Sequence, residues 1–426
     1  MNRISKISQS LPQSLATLFI LGALATIPYA APVASWYMGS LTILAVTCVL
    51  TARFDRHNRW QSVIIWPILA LLGAWAIAIA ASTSPQVSFA RSASMALFSI
   101  LFIAVQVAAW NARALRIVLV AIAATVLATV ADVAWQKWTG KSLILGIEGN
   151  ASANAGSQGN RNDLALISIL LPLCSTLLSG TSAIILYTIL AAVASLGWIL
   201  SASRQTAIGW VIAFIGPFIA RVSRKTVLLT ITIALIASGA IVAGVAPLRA
   251  RAVQTWSEGL GDRQEIAAFG LYLFWQSPLT GVGPGMYGTH YRSAAMKEWS
   301  FNGRKLPQSG MPWVHSLPVE VLCETGAVGA AAVAVIVVAT LRRLRRSFAS
   351  TGATRDLAVA VATSLVVIAV IGLVDLTLIK DWVRCVWWLL LGLAFVNPIQ
   401  LFQAKTQHKT GGTHIRHAQL KSAFLL

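Results

Sequence analysis

The chain has 426 residues and a formal net charge of +20, with 57% hydrophobic and only 11% charged residues. This balance excludes an ordinary soluble domain, in which about a quarter of residues are charged. The long uncharged runs do not alternate as barrel strands do, so the class expected is an all-α integral membrane protein.

About twelve runs reach the length of a membrane-crossing helix. They centre near Leu21, Ile43, Leu71, Ile103, Ile122, Ile169, Leu190, Ile212, Ala234, Val335, Val366 and Leu390. The first follows Arg3 and Lys6. Its only cleavage-like stretch, Pro28-Tyr29-Ala30-Ala31, is weak, so it reads as a retained helix. Lys and Arg in short loops mark the inner face. With the N-terminus inside, that face collects Arg53 to Arg56, Arg113 to Arg116, Arg221 to Lys225 and Arg342 to Arg346, and the basic tail 403–426 joins it. Both termini are then cytoplasmic. Cys48, Cys174, Cys323 and Cys385 fall in separate apolar runs and read as buried small hydrophobes. No metal-ligand spacing or cofactor motif is present, and nothing suggests a nucleic-acid partner.

The outer face also carries cations, among them Arg91, Arg161, Arg204, Arg249, Arg251, Arg263, Arg292, Arg304 and Lys380. Guanidinium groups match phosphate oxygens, so an anionic substrate is one explanation. The other is pairing with Glu258, Asp262, Glu265, Glu298 or Asp381, or with membrane lipids. Asp375 and Asp381 are expected to pair with Lys380 or Arg384. Residues 137–162, rich in Gly, Asn and Ser, read as a flexible outer loop.

The largest interruption of the apolar pattern is 247–314. It divides the chain into nine helices over 1–246, an outer loop, three helices over 315–402 and the tail. Within the loop, Arg263 to Gln276 has helical spacing, with Ile266, Phe269, Leu273 and Phe274 on one face. The turn series from Pro278 to Gly285 follows, then a second helix over Tyr287 to Trp299 and an irregular stretch to Pro312. About 68 residues suffice for a cap but not for a domain with its own core.

Three features converge on the outer face: Ser203-Arg204 between two apolar runs, Gly261-Asp262-Arg263, and His315 where the loop re-enters the bilayer. Histidine exchanges protons near neutral pH, and two arginines can neutralise a diphosphate leaving group. His315 is therefore the candidate base, with Arg204 and Arg263 binding a diphosphate. Glu320 and Glu324 sit one turn apart after His315. Either is a candidate to orient it or to pair with an Arg, with Ser316 and Arg161 as further supporting residues. Gly326 and Gly329 read as a close helix–helix approach.

At these residues the chain resembles the lipopolysaccharide O-antigen ligase family, within the ligase/polymerase superfamily of polytopic membrane glycosyltransferases. Ser203-Arg204 resembles the family's Ser-Arg element. Arg263 with Trp275, Pro278, Gly281, Gly283 and Gly285 resembles its Arg…Pro-x-x-Gly-x-Gly element. His315 with Leu317, Glu324, Gly326 and Gly329 resembles its His…Glu-x-Gly-x-x-Gly element. Where the family often has Asn after the His, this chain has Ser316. The resemblance implies a GT-C-like fold in the bacterial inner membrane, with a large periplasmic loop between helices 9 and 10. It further implies metal-independent, inverting transfer of a glycan from undecaprenyl pyrophosphate to a sugar hydroxyl of lipid A–core. His315 would be the base, and Arg204 and Arg263 the diphosphate binders. An O-antigen polymerase or a protein O-oligosaccharyltransferase would use the same donor. A lipid or polysaccharide transporter is the reading from a different class.

Overall fold

A computed structural model of the chain describes residues 14–25, 61–108, 112–149, 155–158, 160–177, 180–201, 203–219, isolated positions between 225 and 253, 263–307, 313–375, 378 and 380–396. Within these residues the fold is helical, apart from one two-stranded hairpin and an isolated bridge between Lys141 and Glu148. The helices are α1 (Ser14–Ala25), α2 (Gln61–Ala80), α3 (Pro85–Ala108), α4 (Ala112–Thr139), α5 (Ala165–Cys174), α6 (Gly180–Ser201) and α7 (Arg204–Ile219). After them come α8 (Arg263–Gln276), α9 (Tyr287–Met296), α10 (Leu317–Phe348), α11 (Ala353–Gly372) and α12 (Asp381–Ala394).

Long runs of Ala, Leu, Ile and Val satisfy their backbone groups within the helix, as the hydrocarbon demands. Five of the described helices are long and apolar enough to cross a membrane, in α3, α4, α6, α10 and α11. The apolar parts of α1, α2, α5 and α7 are shorter. Each expected centre falls inside a helix except Ile43 and Ala234, which lie outside the described residues.

The bundle is stitched by α12 against α3, α10 against α2, α11 against α5 and α7, and α4 against α5 and α6. Its interior holds Leu170, Trp198, Val361 and Trp388. Small residues allow the close contacts: a Cβ on Gly392 would meet Val105, and one on Gly209 would meet Ile371. Polar side chains are spent on cross-links between helices. Gln106 Nε2 donates to Gly392 O at 2.5 Å and Ser168 Oγ to Thr206 O at 3.1 Å. Cys174, Cys323 and Cys385 are buried and free, as expected; Cys48 lies outside the described residues.

The long polar stretch 247–314 differs in part from expectation. Helix α8 spans the expected residues, but α9 stops at Met296. Ser300–Phe301 then pairs antiparallel with Arg304–Lys305, where irregular chain was expected. Ile266, Phe269, Leu273, Tyr287, Tyr291, Leu306 and Val314 form a second apolar cluster, closed by Cys323 of α10. The cap thus has a small core that is completed only by a membrane helix. The loop after α4 is also more tethered than its composition suggests. Asp132 accepts from Leu143 N at 2.6 Å and from Ser157 N at 2.5 Å, and Gln136 Oε1 accepts from Ala155 N and Gly156 N. Residues 150–154 and 159 of that loop lie outside the described residues.

The cap is joined to the bundle at a break in α10. Gly326 has φ +65° and ψ −166°, which interrupts the helix. The turn after α8 supplies partners for backbone groups around the break. Ala327 N donates to Pro278 O at 2.8 Å and Val328 N to Leu279 O at 3.2 Å, while Cys323 O and Glu324 O accept from Val282 N and Gly283 N. A Cβ on Gly326 would lie 2.3 Å from Leu279 O, and one on Gly281 2.3 Å from the Glu324 carbonyl carbon. The expected glycine contact between helices is therefore corrected. Gly326 admits a turn, and Gly329 abuts Thr325 of its own helix.

Candidate active site

The N-termini of α7, α8, α10 and α12 meet at one end of the bundle through a chain of side-chain contacts. The unsatisfied N–H groups at such ends carry partial positive charge and favour anions. His315 and Ser316 immediately precede α10. Arg263 opens α8, Lys380 stands at the N-cap of α12, and Arg204 opens α7.

Asp375, in the turn after α11, ties two of these ends together. Its Oδ1 lies 2.5 Å from His315 Nδ1 and 3.2 Å from Arg263 Nη2. His315 and Asp375 are both buried, and the Arg263 side chain is 28% exposed. Burial pushes the Asp375 carboxyl up, but the His315 hydrogen bond and the Arg263 and Lys380 charges outweigh it, so its pKa falls below the ordinary carboxylate value. An ionised carboxylate only accepts hydrogen bonds, so a neutral His315 donates through Nδ1–H and keeps its lone pair on Nε2. Among the described residues, Nε2 makes no hydrogen bond. His315 also has φ +56°, a left-handed conformation that costs a non-glycine residue about 1–3 kcal/mol and is concentrated at functional sites.

A second pair stands beside the first. Lys380 Nζ is 2.5 Å from Asp163 Oδ1 and 5.6 Å from the centre of the Trp313 ring, whose own centroid is 6.0 Å from that of His315. Asp163 belongs to a 3-10 turn, Arg161–Leu164, capped by Asn160. Asn162 of that turn lies 3.5 Å from Ser203 Oγ, which accepts from Thr206 N in the first turn of α7. The backbone thus carries Arg161 and Arg204 to the same end of the bundle as His315. Their side chains lie outside the described part of the structure.

The expected site residues therefore divide. His315 and Arg263 are joined through Asp375, which was expected to pair with Lys380 or Arg384. The signal was available: an Asp between two apolar runs is costly unless it is paired. Lys380 pairs with Asp163 instead, whereas Asp381 takes Arg384 at 3.3 Å, as expected. Glu320 and Glu324 have structural partners, and His315 is oriented by Asp375. Glu320 Oε2 accepts from Leu378 N at 2.8 Å. Glu324 accepts from Gly285 N at 2.7 Å and Tyr287 N at 3.2 Å, clamping the cap turn to α10. Ser316 is buried at the N-cap of α10 but makes no side-chain capping bond. Other cations expected on the outer face also have partners. Arg91 donates to Gly285 O at 2.6 Å, Arg304 pairs with Glu265 at 3.5 Å and Lys305 with Glu298 at 2.8 Å.

Compared with known proteins, the chain matches no protein-family model, and no curated protein matches it.

Proposed function

We propose that this protein is a membrane-embedded glycosyltransferase of the O-antigen ligase type. It would take a glycan from undecaprenyl pyrophosphate and join it to a sugar hydroxyl of lipid A–core at the periplasmic face. The observation that carries the reading is the Asp375 carboxylate held between His315 Nδ1 and Arg263 Nη2. It brings together a histidine and an arginine, the base and the diphosphate-binding cation of this reading, at converging helix N-termini.

In this reading His315 Nε2 removes the acceptor hydroxyl proton as the oxygen attacks the anomeric carbon. The bond from that carbon to the diphosphate oxygen breaks, and its electron pair leaves with the diphosphate. Attack opposite the leaving group inverts the anomeric centre. Asp375 stabilises the imidazolium that forms. Arg263, with Arg204 at the start of α7, neutralises the departing diphosphate, the work a divalent ion does elsewhere. Asp375 spends part of its charge on Arg263, so the guanidinium is positioned before substrate arrives.

The test is a reconstituted transfer. Purified wild type and His315→Ala are mixed with undecaprenyl-pyrophosphate-linked glycan and rough lipopolysaccharide, in the presence of chelator. Glycan-extended lipopolysaccharide from wild type alone is expected. Longer lipid-linked chains instead would move the assignment to a polymerase. No change in either lipid would sink glycosyl transfer for these substrates and favour a transporter.

A further inference from the structure

We infer that one face of the cap, formed by Leu271, Tyr272, Trp275 and Leu279, is seated in the lipid of the membrane rather than exposed to water. Trp275 is 73% exposed and Leu279 67%, with Leu271 and Tyr272 also exposed beside them on α8. Such a patch of large side chains on an aqueous surface needs a partner. Nor is the segment polar: no Asp, Glu, Lys or Arg occurs between Glu265 and Arg292.

The register along α10 identifies the partner. Leu279 O accepts from Val328 N, so the patch begins where the outward stripe of α10 begins. That stripe, Val328, Val335, Val338 and Leu341, is exposed and uncharged, and it ends at Arg342. The cluster Arg342 to Arg346 holds that end of α10 at one membrane surface. From Arg342 back to Ala327 the helix is unbroken and rises about 22 Å at 1.5 Å per residue, against a hydrocarbon layer of about 30 Å. The turn at Ala327 and Val328 then lies about 8 Å inside the far boundary. Leu279 would meet acyl chains and Trp275 the interface, a depth that suits indole. This seating follows from α10 and the cap alone and stands whether or not the transfer reading holds.

The full chain would be reconstituted in phosphatidylcholine vesicles carrying a trace of phosphatidylcholine with an acyl-chain diazirine. A parallel sample would receive a water-soluble diazirine. After irradiation and digestion, labelled residues are located by mass spectrometry, with Val335 and Val338 as the internal lipid-facing reference. We expect Trp275 and Leu279 to take lipid label within about threefold of that reference and little aqueous label. Predominantly aqueous labelling would overturn the inference. So would protection from both reagents, because a second copy or another segment of this chain would then cover the face.

Discussion

Replacing Asp375 by Asn tests the link between geometry and chemistry most directly. The amide keeps the shape of the carboxylate but removes its charge, and it can present an N–H₂ to His315 Nδ1 in place of an acceptor. That would place the His315 proton on Nε2, the atom needed as base. The electrostatic part can be sized from the contact. An imidazolium whose charge centre lies about 4 Å from a carboxylate is favoured by about 4 kcal/mol at an effective dielectric near 20. At 1.36 kcal/mol per tenfold, losing this corresponds to about a thousandfold slower transfer. The wrong tautomer slows it further. Initial rates of glycan transfer to rough lipopolysaccharide would be compared for wild type, Asp375→Asn, His315→Ala and the double variant. The single variants should each fall at least about a thousandfold, and the double little further, because groups acting as one unit are not additive. An Asp375→Asn enzyme within tenfold of wild type, with normal folding, would refute the dyad and leave Asp375 as a structural tie to Arg263.

Three further outcomes follow from the same contacts. Gly326→Ala would force Cβ to 2.3 Å from Leu279 O at a positive φ, so a cost of about 3 kcal/mol or more is expected, seen as a lower thermal midpoint in detergent. A midpoint unchanged by this substitution would mean the break in α10 is not required. Lys380→Met leaves Asp163 buried without its partner, a loss of about 3–5 kcal/mol; adding Asp163→Asn should restore most of that stability, and an equally unstable double variant would show the pair is not what matters. Asp375 has a folded pKa below its unfolded value near 4. Its stabilisation is therefore fully present above that pH and fades as pH drops through the folded pKa. Asp375→Asn should flatten the acid limb of stability measured below about pH 4, and an unchanged limb would place the sensitivity in another carboxylate.

Much of the helical framework was legible because each apolar run is long and the membrane permits few alternatives. Helix α8 was legible for a different reason: Ile266, Phe269 and Leu273 recur at helical spacing, and all three are buried. His315 stands out in the sequence where the polar stretch re-enters an apolar run, and Arg263 at the start of the amphipathic segment; the structure joins both to Asp375. What the sequence hid was partnership. Asp375 is 60 positions from His315 and 112 from Arg263, and charge spacing favoured its neighbour Lys380. Likewise Gly326 and Gly329 share the pattern of a helix-packing motif. Only the tertiary approach of Leu279 shows that the first belongs to a turn.

The break in α10 also bears on how far this cap is a transferable module. The turn 278–285 completes its hydrogen bonding on residues 323–328, so the cap's true edge runs inside a membrane helix and not at the point where the loop ends. A chimera joined between Val314 and His315 would import a turn without its counterpart and orphan backbone groups on both sides. One joined after Gly329 would carry the interlock intact. Any exchange of this cap by recombination would have to respect that seam, which binds it to one particular apolar helix.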